Sequence, residues 1–87
     1  MTEPFYVVCH NGVFVLPDAI YKSLASLARK DFVYLREDED ALLISTTPIT
    51  DGRRRVLHTR FRSQMLRHAR QLAIVDLKES IRVMPVT

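Results

Sequence analysis

Residues 12–35 read GVFVLPDAIYKSLASLARKDFVYL and carry the local signals that decide the fold of the first half of the chain. Gly12 tolerates backbone angles that other residues avoid, so it suits the tip of a turn. The apolar run Val13–Leu16 is rich in β-branched and aromatic residues and predicts a strand. Pro17 ends this strand and suits the first turn of a helix, because its φ is fixed near helical values.

A short helix is predicted at about residues 17–28. Ile20, Leu24 and Leu27 recur at helical spacing, which indicates one apolar face turned toward a core. The apolar run Phe32–Leu35 then predicts a second strand. The stretch as a whole predicts strand, helix and strand in succession.

The flanking sequence adds two more strands to this unit. A β-rich run at residues 5–9 precedes Asn11-Gly12, and Asn-Gly between two such runs is a strong signal for a tight hairpin. The acidic run Glu37–Asp40 predicts a hairpin loop after the strand at about 32–36, and residues 41–46 predict the return strand. The first half is therefore predicted to contain four strands and one helix.

Thr47–Gly52 is a predicted linker, and Arg53–Arg55 follow it. On a linker these arginines could reach a groove or a line of phosphates. Residues 56–58 fit either a short strand or the start of a helix. Residues 59–73 predict a basic amphipathic helix, and residues 81–86 a short terminal strand. The apolar positions of the predicted helix are Phe61, Met65, Leu66, Ala69, Leu72 and Ala73.

The length of 87 residues predicts one small domain with a modest core, and homodimerisation is a common remedy at this size. Cys9 is the sole cysteine, so no intrachain disulfide can form and a reducing compartment is expected. We find no secretory signal and no apolar run long enough to span a bilayer. The sequence therefore predicts a soluble, cytoplasmic protein without membrane contact.

Charge divides the chain into two parts. Residues 1–49 carry four basic and seven acidic side chains, whereas residues 50–87 carry nine basic and three acidic ones. We interpret residues 1–49 as a strand-helix-strand hairpin domain and residues 50–87 as a basic C-terminal extension. An arginine-rich segment suits a polyanion, although a solvated basic surface would have the same composition.

The spacing of the first half resembles the SpoVT/AbrB family of swapped-hairpin DNA-binding proteins. Gly12 stands five residues before Pro17, and an aliphatic residue and a leucine follow that proline at the family's spacing, as Ile20 and Leu24. An acidic turn and a second apolar strand complete the pattern, with one extra residue after the leucine. The resemblance covers residues 5–46.

This resemblance implies a mainly β fold with helices (α+β), in which two chains exchange hairpins to form a shared dimeric β-barrel. It also implies DNA binding by a transcriptional regulator or an antitoxin. The family often has a basic residue where this chain has Val13, and its DNA contacts carry over to Lys22, Arg29 and Lys30. A weaker similarity links the chain to HxsD-type accessory proteins of peptide-modification systems.

Charge alone, independent of the family, points to the second half for DNA contact, because arginine pairs bidentately with phosphate and with guanine. The candidate residues are Arg53, Arg54, Arg55, Arg60, Arg62, Arg67 and Arg70.

Other chemistry finds little support in the sequence. It contains no phosphate-binding loop, no dinucleotide fingerprint and no zinc-protease motif, so we predict no enzyme, no catalytic residues and no cofactor. Cys9 and His10 are adjacent, and neighbouring residues on a strand point to opposite faces, so we predict no metal site. Cys9 is instead predicted to be a small buried hydrophobe, and His58 and His68 to lie on the polar surface.

Two functional hypotheses follow. The first is a homodimeric DNA-binding regulator or antitoxin that acts through basic side chains. The alternative is a non-enzymatic interaction or accessory module, whose helix at residues 59–73 packs on a cognate protein partner.

Overall fold

The structure is a computed structural model that describes residues 3–86. Within that range it contains eight strands and one α-helix, and short 3-10 turns precede the third and seventh strands. The elements are β1 (Phe5–Val8), β2 (Val13–Val15), α1 (Asp18–Leu27), β3 (Phe32–Asp38), β4 (Ala41–Ser45), β5 (Arg53–Val56), β6 (Arg60–Arg62), β7 (Gln71–Asp76) and β8 (Ser80–Val86). The prediction of a mainly β fold with helical content is confirmed.

Six strands form one antiparallel sheet in the order β1-β7-β8-β4-β3-β5, and β2 pairs separately with β6. The edge strands of the large sheet are β1 and β5. Along the chain, β2 comes directly after β1, and β6 comes directly after β5. The two-stranded sheet therefore connects the chain segments that leave the two edges. Strands of the acidic and basic halves share the large sheet, because β1 pairs with β7 and β4 with β8.

The core lies on one face of the large sheet. Ile44 stands opposite both Leu35 and Ile81 in register, and all three are buried. Helix α1 adds two buried side chains, Ile20 and Leu24, to the same cluster. Burying one such aliphatic side chain contributes about 1.5–3 kcal/mol, so this face supplies much of the stability.

Local predictions for the first half are confirmed to within two residues at each boundary. Pro17 directly precedes α1, and Asp18 lies in the first turn of the helix. Strands form at the predicted places around the helix, and the residues after β4 form a loop. The predicted terminal strand at residues 81–86 is also confirmed, as β8.

The prediction that β1 and β2 pair as a hairpin is correct at the turn and wrong for the strands. The Asn11-Gly12 turn is present, and His10 and Val13 exchange two backbone hydrogen bonds of 2.9 Å across it. Past that bridge the strands separate, so that β1 pairs with β7 and β2 with β6. An isolated two-stranded hairpin buries little apolar surface, whereas each strand gains a new neighbour by separating.

The predicted helix at residues 59–73 is wrong. These residues form β6, a 3-10 turn at Gln64–Leu66, and the start of β7. Phe61, Leu66 and Leu72 are buried as core residues, but from strands and a turn. The apolar residues of this segment fit helical spacing, but Arg60, Phe61 and Arg62 also alternate between exposed and buried as in a strand.

Two further statements about the second half are corrected. Arg53–Arg55 are not in a linker, because they form most of strand β5. The partner-binding surface assigned to the helix at 59–73 is absent, since no helix forms there and its leucines lie in the core. In the described range, no helix is long and apolar enough to cross a bilayer.

Gly12 provides a test of the turn that separates β1 from β2. It has φ of +81°, and a Cβ at this position would overlap the carbonyl oxygen of Ser63. We expect Gly12→Ala to lower the free energy of unfolding by about 1–3 kcal/mol, measured by urea denaturation. The matched control is Asn11→Gly, since Asn11 has φ of 53° and is exposed. A stable Gly12→Ala protein would contradict the close approach of the two segments.

Candidate nucleic-acid interface

Five arginines from two strands line two adjoining clefts. A cleft of about 280 Å³ is lined by Leu35 and by four arginines of β5 and β6. A neighbouring cleft of about 420 Å³ shares Arg55 and Arg62 with it and adds Arg60 and His58. We call the combined surface the arginine cleft and define it by Arg53, Arg54, Arg55, Arg60, Arg62 and His58.

Strand register sets the direction of each arginine on β5. Arg53 stands opposite Leu35 and Arg55 opposite Val33, and both β3 residues face the core. Side chains paired across neighbouring strands share a face of the sheet, so Arg53 and Arg55 lie on the inner side of this edge. Arg54 alternates to the outer side.

Two of these guanidinium groups make cation–π contacts with aromatic rings. The guanidinium carbon of Arg55 lies 4.9 Å from the ring centroid of buried Phe61, and that of Arg54 lies 4.6 Å from the ring centroid of Phe32. A cation–π contact orients a guanidinium without neutralising it. The charges therefore stay available to an anion.

Most of the arginine cleft lacks an acidic partner. The ion pairs in residues 3–86 are Lys22 with Asp18 at 3.3 Å, Arg36 with Asp38 at 2.8 Å, and Arg53 with Glu37 at 3.8 Å. For Arg54, Arg55, Arg60 and Arg62 no carboxylate of the described residues lies within 4.0 Å of the guanidinium. Clustered arginines without counter-charges generate a positive potential that attracts anions.

Glu37 lies at the border of this cluster. One carboxylate oxygen is 3.8 Å from Arg53, and the other accepts a 3.0 Å hydrogen bond from the hydroxyl of Ser63. Ser63 is buried just after β6, so it holds Glu37 beside the cleft. The carboxylate competes with any bound anion for Arg53.

The segment leading into β5 is tied to β3 by Arg36. Its guanidinium donates hydrogen bonds of 2.8 and 3.0 Å to the two carboxylate oxygens of Asp38, and a third of 3.2 Å to the carbonyl of Thr50. The hydrogen bonds from Arg36 lower the pKa of the Asp38 carboxyl, and the bond to Asp38 raises the pKa of Arg36. This contact fixes the approach of the chain to the arginine cleft.

The remaining predicted DNA-binding residues lie elsewhere. Lys22 pairs with Asp18 on the exposed side of α1, and Lys30 occupies a left-handed conformation in the turn before β3. Arg67 donates a 3.2 Å hydrogen bond to the carbonyl of Gln64, and Arg70 lines a cleft of about 470 Å³ beside Met65.

A cleft of about 310 Å³ on the outer side of the sheet contains the last of the ten predicted residues, Arg29. Sequence reasoning missed Phe32 and Tyr34, which line the same cleft. The alternation along β3 is the signal that could have found them, since Val33 and Leu35 are buried while Phe32, Tyr34 and Arg36 are partly exposed.

No family model, no curated protein and no solved structure matches this chain. Cys9 is buried, as predicted, and its thiol lies 3.5 Å from the carbonyl oxygen of Leu66. His58 and His68 are exposed, also as predicted. Among residues 3–86, no three His, Cys, Asp or Glu side chains cluster so that they could hold a metal ion.

The Arg36–Asp38 pair predicts a pH-dependent stability. The pKa of Asp38 is lowered from its ordinary 3.8, so its contribution is present at neutral pH and is lost as the pH falls below that value. We expect Asp38→Asn to lower the urea midpoint at neutral pH, and the difference from wild type to shrink in acid. Asp40→Asn, an exposed carboxylate in the same turn, is the control. A difference that grows on acidification would contradict the pairing.

Proposed function

We propose that this protein binds DNA through the arginine cleft, as a transcriptional regulator or antitoxin. The observation that carries the proposal is that four arginines without carboxylate partners line two adjoining clefts. Guanidinium groups form strong bidentate hydrogen bonds to phosphate, and neutralised phosphates release counterions.

The dimensions of the cleft favour a polymer over a small anion. The four residues of β5 extend about 13 Å at the usual rise of a strand. Duplex DNA rises about 3.4 Å per nucleotide along one strand, so β5 matches the length of about four nucleotides. Arg60 and Arg62 on β6 widen this surface beyond a single row. The role as regulator or antitoxin rests on the SpoVT/AbrB resemblance of residues 5–46.

Fluorescence anisotropy with mixed-sequence DNA at about 50 and 200 mM salt tests the proposal. We expect binding that weakens steeply with salt. Arg62→Gln should reduce affinity about tenfold, because one charge-assisted hydrogen bond is lost, and lower the salt slope by about one. Lys78→Gln removes the same charge from the β7–β8 turn and should have little effect. Binding that ignores salt, or no binding at low salt, would overturn the proposal.

Glu37→Gln should change DNA affinity in the same assay in the opposite direction to Arg62→Gln. It removes the carboxylate beside Arg53 while the amide oxygen can still accept the hydrogen bond from Ser63. We expect tighter DNA binding than wild type. Unchanged affinity in both Glu37→Gln and Arg62→Gln would place the DNA contact outside the arginine cleft.

We propose further that the protein is a homodimer joined through the free edge of β1. This strand pairs only with β7, carries no charged residue, and exposes Tyr6 and Val8 by 59% and 79%. A free edge can pair antiparallel with its own copy about a two-fold axis. The opposite edge, β5, carries three arginines that would repel those of a second copy.

Light scattering after size-exclusion chromatography tests the dimer. We expect wild-type protein at twice the chain mass of 10.1 kDa and Val8→Lys at the chain mass. Leu77→Lys, which alters an apolar side chain exposed by 51% in the β7–β8 turn, should stay dimeric. A dimer that survives Val8→Lys would favour the swapped-hairpin arrangement that the resemblance implies. Monomeric wild type would overturn the homodimer.

A further inference from the structure

An aromatic surface adjoins the arginine cleft on the outer side of the sheet. We call it the aromatic cleft: it encloses about 310 Å³ and is lined by Leu27, Arg29, Phe32, Tyr34, Thr46, Thr47 and Pro48. Phe32 and Tyr34 come from alternate positions of β3, so both rings face away from the core. Neither ring is fully buried.

Arg54 connects the aromatic cleft with the arginine cleft. Its backbone belongs to edge strand β5, opposite Tyr34 in register, and its guanidinium covers the ring of Phe32 at 4.6 Å. Arg53 and Arg55, its neighbours along β5, lie on the inner side of the same edge. A ligand that crosses β5 therefore meets cations on one side and stacked planar groups on the other.

We infer that the protein binds single-stranded DNA in preference to duplex DNA, with the backbone on the arginine cleft and a base stacked in the aromatic cleft. The inference rests on the proposed DNA binding and specifies its substrate. In a duplex both faces of each base are covered by neighbouring base pairs, so aromatic side chains gain no stacking partner. A single strand offers an open base face, which stacks on aromatic rings and on guanidinium planes.

The composition of the aromatic cleft fits a base more closely than an aliphatic ligand. The guanidinium of Arg54 lies over the ring of Phe32, and a base is a planar group that can stack beside this pair. Tyr34, Thr47 and Arg29 add hydroxyl and guanidinium groups, which can hydrogen-bond the edge of a base. The carbon-rich side of the cleft comes from Leu27, exposed by 47%, and Pro48.

The test compares a labelled single strand of about 15 nucleotides with the duplex of the same sequence, by anisotropy on the full chain. We expect the single strand to bind at least about tenfold more tightly. Phe32→Leu keeps an apolar side chain but removes the ring. It should reduce this preference about tenfold, because the affinity for the single strand falls while the affinity for the duplex stays the same. Tyr21→Leu removes a ring from α1, outside the cleft, and is the control. Urea midpoints of both variants establish that they are folded.

Each outcome separates the inference from the proposed function. Equal affinity for single strand and duplex, with a steep salt dependence, overturns the inference and leaves DNA binding intact. If the protein prefers the single strand but Phe32→Leu does not change that preference, the aromatic cleft is not where the base stacks. The Arg54–Phe32 contact would then serve only to cover the Phe32 ring. No binding of either DNA at low salt overturns both.

Discussion

Phe14 on β2 packs against Phe61 on β6 with ring centroids 6.0 Å apart, and both side chains are almost completely buried. The contact joins segments that leave opposite edges of the six-stranded sheet, so it ties the first half of the chain to the second. The β2–β6 pair also keeps residues 60–62 extended. The pairing therefore holds residues 60–62 as a strand although the apolar spacing of residues 59–73 is also helical.

The same pairing explains where positive charge gathers. Because Phe61 points inward, its neighbours Arg60 and Arg62 must point outward. Arg55 reaches from the adjoining edge strand to cover the Phe61 ring, so the buried aromatic pair and the cationic surface share one side chain. The apolar contact that closes the fold thus also positions the arginines.

The two edge strands of the large sheet carry different kinds of side chain. The β5 edge carries Arg53, Arg54 and Arg55, and charged side chains discourage pairing with another strand. The β1 edge carries none and exposes Tyr6 and Val8. Charged and exposed apolar side chains are therefore segregated to opposite edges of the sheet.

The local features could be predicted from the sequence: the turn at Gly12, the helix start at Pro17, the β3–β4 hairpin, and core residues such as Phe61 and Leu72. These depend on allowed backbone angles and on side-chain polarity, which are properties of neighbouring residues. Of the candidate site, the sequence singled out the arginines by charge but not the clusters that they form. The pairing of β1 with β7 and of β2 with β6 could not be predicted from the sequence. Nor could the two adjoining clefts lined by five arginines, or the positions of Phe32 and Glu37 beside them. The reason is physical: strand pairing and convergence depend on contacts between residues such as Val13 and Arg62, which are far apart along the chain.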